Sequence, residues 1–202
     1  MAESTRFEAR DLARIAIFAA IVIVLGIAGQ IPLPTGVPVT LQTLGVMLAG
    51  IVLGPLRGAA AVLVVIVLAA VGLPVLTGGS GGLGVFVGPT VGYLIGWVPG
   101  VIVTGLIARS QAAGALIRWW RVALGATIGG VLVVYAFGIP GLSLVTGIPL
   151  ADAAVSNVVF LPGDLAKVVV ATLLSVALWR AYPPAFGIAP ARAAEEPADA
   201  LR

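Results

Sequence analysis

"LQTLGVMLAGIVLG", residues 41–54, is apolar apart from Gln42 and Thr43. A bilayer crossing takes about 20 apolar residues, so this run is short for a span and long for a turn. Its reading decides the fold. The other apolar runs lie at 12–29, 58–73, 84–108, 119–138 and 163–182. Counting 41–54 as a crossing makes six spans. With the N-terminus inside, Arg6, Arg10, Arg14, Arg57, Arg109, Arg118, Arg121, Arg180, Arg192 and Arg202 then all fall on the cytoplasmic side. If 41–54 is instead a re-entrant segment, Arg57 and every later arginine moves outside. Positive residues favour the cytoplasmic side, so the expected fold is an all-α integral membrane bundle of six transmembrane helices, both termini cytoplasmic. Lys167, the single lysine, is left alone in the outer half.

Composition supports that class. Of 202 residues, 60% are hydrophobic and 9% charged, and the mean hydropathy is +1.18. A soluble domain carries about 25% charged residues, so membrane lipid is the expected surroundings. The arginines are scattered singly, not gathered into the basic face that nucleic acid would require. With neither cysteine nor histidine there is no disulfide, no thiol nucleophile and no usual zinc or haem ligand; no metal or cofactor is expected. No P-loop pattern occurs, so ATP hydrolysis by this chain is not expected. The opening MAESTRFEARDLAR is too acidic for a signal-peptide start and reads as the beginning of a cytoplasmic helix. Residues 1–182 form the expected membrane domain. Residues 183–202, alanine-rich, charged and interrupted by proline, are expected to be a disordered cytoplasmic tail. No internal repeat is evident.

Three connections fall on the outer side: QIPLPTGVPVT (30–40), PVLTGGSGGLGVFVGP (74–89) and GIPGLSLVTGIPLADAAVSNVVFLPG (138–163). They are long and rich in Gly and Pro, yet apolar. A solvated linker would be more polar, so these are expected to be loops packed over something.

The last run opens FLPGDLAKVV (160–169), with Asp164 and Lys167 on one helical face at i and i+3. An ionisable group at membrane depth costs about 3 kcal/mol or more, which marks a functional candidate. Plainer roles exist: Asp164 as a helix N-cap after Pro162-Gly163, and Lys167 reaching to the outer surface or pairing with the aspartate. A cap needs no lysine, however, and snorkelling does not explain why arginine is used everywhere else. The second candidate is GGSGGLGVFVGPTVGY (78–93), whose glycines let backbone amides approach a ligand; a flexible turn is the plain alternative. Ser80 suggests a nucleophile, but no histidine base exists and Lys167 is the only available one, so an intramembrane enzyme is disfavoured. A proton-coupled secondary carrier of a small carboxylate, with Asp164 as relay, is the alternative function.

Taken together, IPLPTGVPVTLQTLGVMLAG, GLPVLTGGSGGLGVFVGPTVGYLIG and FLPGDLAK resemble, in order and spacing, the BioY family of biotin transporters, the substrate-binding S-components of energy-coupling-factor transporters. The likeness runs from about residue 12 to 180. It implies an S-component-like bundle without enzymatic activity, a biotin pocket near the outer face, and high-affinity biotin uptake across the cytoplasmic membrane. It also implies partners, a transmembrane coupling protein and ABC-type ATPases that hydrolyse the ATP. The substrate-binding residues implied are Gly79, Gly88, Asp164 and Lys167, with Val85, Phe86 and Tyr93 as lining. Val85 or Phe86 stands where some members carry a polar side chain. On the first helix, Ala9, Ala13, Ala16 and Ala20 form a stripe of small residues that lets helices approach closely. The resemblance implies that Ala16 and Ala20 contact the coupling protein; packing within the chain is the alternative.

Overall fold

The computed structural model describes residues 8–28, 30–31, 33–34, 36–109 and 117–186. Most of them are helical. The helices are α1 (Ala9–Ile27), α2 (Gln42–Leu53), α3 (Pro55–Ala70), α4 (Val91–Ala108), α5 (Trp119–Thr127), α6 (Val134–Thr146), α7 (Leu150–Asn157) and α8 (Leu161–Ala181). A π-helical stretch, Ile128–Val133, joins α5 to α6 without a break, and a 3-10 turn, Val158–Phe160, joins α7 to α8. The only strands among the described residues are β1 (Gln30–Ile31) and β2 (Val39–Thr40), a two-residue antiparallel pairing that folds the 30–40 connection back on itself.

Among the described residues, three continuous helical stretches are long and apolar enough to cross a membrane: 91–108, 119–146 and 150–181. α1 has the length but carries Arg10, Asp11 and Arg14 in its first two turns. α2 and α3 are apolar but shorter, 12 and 16 residues. At 1.5 Å per residue they rise about 18 and 24 Å, against a hydrocarbon core of about 30 Å. The outer surface displays large apolar side chains such as Leu63, Val67, Ile95, Leu132, Leu144 and Leu173, the face that lipid requires.

The 41–54 segment forms the centre of the bundle. Ten of α2's 12 residues are buried, as expected for a helix apolar on every side. Glycines let its neighbours come close: a Cβ on Gly45 would meet the Val22 backbone of α1, and one on Gly50 would lie 2.7 Å from the Val101 carbonyl of α4. α2 turns directly into α3 at Gly54, whose φ of +83° suits glycine, and Pro55 begins α3.

Expectation and structure part company in two places. The 138–163 segment is not a loop: α6 runs on to Thr146, and α7 with its 3-10 turn follows. Its glycines are contact points, since a Cβ on Gly141 would lie 2.6 Å from Gly92 Cα and one on Gly138 would enter the Tyr93 ring. Pro140 sits within α6 itself; helices embedded in a bundle tolerate proline because neighbours re-satisfy the backbone. The second correction concerns the tail. Pro183–Phe186 is a 3-10 turn packed against the bundle, with Phe186 buried at 1% exposure and its ring edge-on to Trp179. Arg14 Nη2 donates to the Pro184 carbonyl at 2.8 Å and Arg109 Nη2 to the Phe186 carbonyl at 2.5 Å. Proline and alanine in this segment hide one large aromatic anchor. The rest of the expected tail lies outside the described residues.

These contacts give the bundle two unlike ends. One gathers Asp11, Arg14, Arg57, Arg109 and the docked C-terminal turn, with Arg57 Nη2 3.0 Å from Asp11 Oδ2. The other carries Asp164, Lys167 and a cavity.

Candidate functional site

The cavity has a volume of about 340 Å³, within the range of roughly 300–1,000 Å³ usual for small-molecule sites. Its walls come from the start of α2, the start of α4, the π-helical stretch with α6, the start of α8, and the 36–40 and 76–90 connections. α2 is short, and its first residues, Gln42 and Thr43, form part of the cavity wall. Glycine at 130 keeps the π-helical wall thin, because a Cβ there would collide with Met47.

The charged pair lies in this cavity. Lys167 Nζ donates to Asp164 Oδ1 at 2.8 Å and to Thr43 Oγ1 at 3.0 Å. Tyr135 donates its hydroxyl to Asp164 Oδ2 at 2.5 Å. Both charged side chains are 9% exposed. Asp164 is not an N-cap: α8 starts at Leu161 with Phe160 as cap residue, which puts the carboxylate inside the first turn and aims it at Lys167 and Tyr135. Nor does Lys167 reach outward, since its ammonium is held among α8's own aspartate and α2's threonine. Each member keeps unused capacity. Lysine has three N–H donors and a carboxylate about four acceptor positions, so a ligand can still receive from one and donate to the other.

Aromatic groups line the cavity beside the pair. Tyr93 and Tyr135 meet edge to face with ring centroids 6.5 Å apart. Tyr93 donates to the Asn157 side-chain oxygen, and Asn157 Nδ2 donates to the Ala153 carbonyl at 2.7 Å, which ties α7 to α4. Trp97 lines the cavity at 6% exposure, and its indole N–H has no acceptor among the described residues. Buried N–H groups are nearly always paired, so this donor is a candidate for a ligand oxygen.

Of the residues singled out from sequence, Asp164, Lys167, Val85 and Tyr93 line one cavity. Gly79, Gly88 and Phe86 do not line it. Gly79 is exposed, with open space where a Cβ would stand, Gly88 is half-buried beside the Gly84 and Val85 carbonyls, and Phe86 packs against the core. Ser80 lines the cavity and donates to the Thr77 carbonyl at 2.9 Å. Ala16 and Ala20 lie on the exposed side of α1, while Ile15, Ala19, Val22 and Gly26 face the interior. Thr43, Tyr135, Trp97 and Gln42 were not read as site residues from sequence. Gln42-Thr43, two polar residues opening an otherwise apolar helix, was the available signal. Tyr135 and Trp97 offered none, being aromatic residues in apolar runs.

Comparison with known proteins bears on this arrangement. The chain is 47% identical over 188 residues to the biotin transporter BioY of Rhizobium etli, covering 91% of this chain and 98% of that one. It is 50% identical over 182 residues to the biotin transporter BioY of Rhodobacter capsulatus, covering 82% and 91%. A crystal structure of the S-component for biotin from an ECF-type ABC transporter superposes with a TM-score of 0.79 at 34% identity, covering 89% of this chain and 95% of that one. The model of the BioY family matches residues 1–184. The chain belongs to the BioY family.

Proposed function

We propose that this chain binds biotin in the cavity at the Lys167 end and serves as the biotin-specific S-component of an ECF-type transporter. The observation that carries the reading is the Tyr135–Asp164–Lys167–Thr43 cluster opening into a cavity otherwise apolar and aromatic. Biotin presents two ureido N–H donors, a carbonyl, an apolar bicycle and a carboxylate. Asp164 accepts from an N–H group, the spare Lys167 donor meets an oxygen, and the Trp97 indole meets another. The rings of Tyr93, Tyr135 and Trp97 cover the bicycle.

The chain crosses the cytoplasmic membrane six times in this reading, α2 being a shortened crossing that stops beneath the cavity. The arginine-rich end faces the cytoplasm, and both termini with it. No cofactor belongs to the chain. A coupling protein docks on the exposed Ala16 and Ala20 face of α1, and partner ATPases supply the energy. Gly79 and Gly88 serve the loop that closes the site.

Mass spectrometry of small molecules that copurify with the detergent-solubilised protein, followed by titration with biotin, tests the reading. Biotin in the purified protein is the expected result. A protein that neither carries nor binds biotin would end the proposal. A cysteine at Thr77 should label from outside intact cells and one at Gln111, which lies outside the described residues, should not; the reverse pattern would invert the topology.

A further inference from the structure

The glycine-rich connection that forms one wall of the cavity is pinned by Val75, Leu76 and Phe86 against the core, while several of its glycines stand in open space. A Cβ on Gly79, Gly82 or Gly84 would meet nothing within 4 Å. Backbone bonds close small turns inside it, such as Leu76 N–H to the Ser80 carbonyl at 3.0 Å, and Gly82 N–H reaches the Ala69 carbonyl of α3 at 2.7 Å. Toward the other side of the cavity the connection meets Gln42. This side chain is 1% exposed, and both ends of its amide are engaged. Nε2 donates to the Val75 carbonyl at 3.2 Å, and Oε1 accepts from Thr77 Oγ1 at 2.9 Å.

A buried amide is unfavourable unless it is bonded, and an apolar helix such as α2 needs no glutamine for its own packing. The surroundings are shaped to keep it there. α1 presents Gly26 at this point, where a Cβ would lie 2.5 Å from Gln42 Nε2. The next residue, Thr43, accepts from Lys167. Two consecutive residues at the head of α2 therefore hold the glycine-rich connection on one side and the charged pair on the other. Because Leu76, Thr77, Ser80 and Val85 line the cavity, lifting this connection opens it.

We infer that Gln42 is a positioning residue, the strap that holds the 74–90 connection closed, so that release of this strap sets how fast bound ligand leaves. The dissociation arm of this inference rests on the biotin reading; the strap itself does not.

The test compares wild type with Gln42→Met, Thr77→Val and Gly26→Ala in detergent. Gln42→Met keeps length and apolar bulk while removing both bonds. Thr77→Val removes one bond from the loop side. Gly26→Ala displaces the amide through a substitution that is itself outside the cavity wall. Hydrogen exchange over residues 74–90 is measured without ligand, and biotin association and dissociation are measured separately. Losing two hydrogen bonds should speed both exchange and dissociation about tenfold in Gln42→Met and Gly26→Ala, less in Thr77→Val, with association changed less than about threefold. Unchanged exchange in both stronger variants overturns the strap. Faster dissociation with unchanged exchange overturns it too, by making Gln42 a direct ligand contact. Slower association with unchanged dissociation would reduce Gln42 to general stability. A wild type that binds no biotin defeats the biotin reading instead, while the exchange comparison still judges the strap.

Discussion

Removing Asp164 and Lys167 one at a time and then together separates a ligand site from a self-contained ion pair. Lys167→Met deletes the ammonium that Asp164 meets at 2.8 Å and leaves a buried carboxylate with Tyr135 as its remaining side-chain donor among the described residues. Asp164→Asn leaves a buried ammonium with Thr43 as its remaining partner. Stranding one member of a buried pair costs about 3–5 kcal/mol of stability, whereas removing both leaves no unpaired charge. Both singles should therefore melt below the double variant. Biotin affinity should behave differently. A charge-assisted contact contributes about 1.5–3 kcal/mol, so each single change should weaken binding roughly ten- to a hundredfold. If both side chains hold biotin, the double variant binds no better than the worse single, although its melting temperature recovers. The assay is a double-mutant cycle in detergent, read by calorimetric titration with biotin and by thermal melting. Unchanged affinity in both singles would refute the site. Recovery of affinity alongside stability in the double would make the pair a structural neutralisation and nothing more.

Three further expectations concern other parts of the chain. Tyr135→Phe keeps the ring against Tyr93 but removes the donor to Asp164, and should weaken biotin binding about tenfold with little change in melting; normal affinity would remove Tyr135 from the site. Phe186→Ala should cost about 3–5 kcal/mol of stability, because the ring is fully buried, while leaving biotin affinity at the far end within about twofold. An unaltered melting temperature would show that the C-terminal turn does not anchor the bundle. Ala16→Trp, on the exposed side of α1, should abolish energised uptake in cells and leave binding near normal; equal loss of both would assign that face to the chain's own packing.

Sequence alone determined the membrane class, through hydropathy and scarce charge. The contrast between ten arginines and one lysine marked two unlike ends, and the structure gathers Arg14, Arg57 and Arg109 at one and puts Lys167 at the other. The juxtaposition of Asp164 and Lys167 was legible because it is local: helical geometry puts i and i+3 on one face wherever the helix sits. The partners of that pair were not legible. Tyr135 lies 29 residues from Asp164, and Thr43 lies 124 residues from Lys167. Contacts of that span exist only once α2, α6 and α8 have packed, and no periodicity encodes them. The same limit explains the 138–163 segment. Gly and Pro are breakers by local propensity, but a Cβ on Gly141 would lie 2.6 Å from Gly92 Cα, so α6 continues where its partner leaves room. Pro183–Phe186 lacks any helical signal of its own and is held by Arg14, Arg109 and Trp179 from elsewhere in the chain. What depends on neighbouring residues was written in the sequence; what depends on two helices meeting was decided by the packing of the bundle.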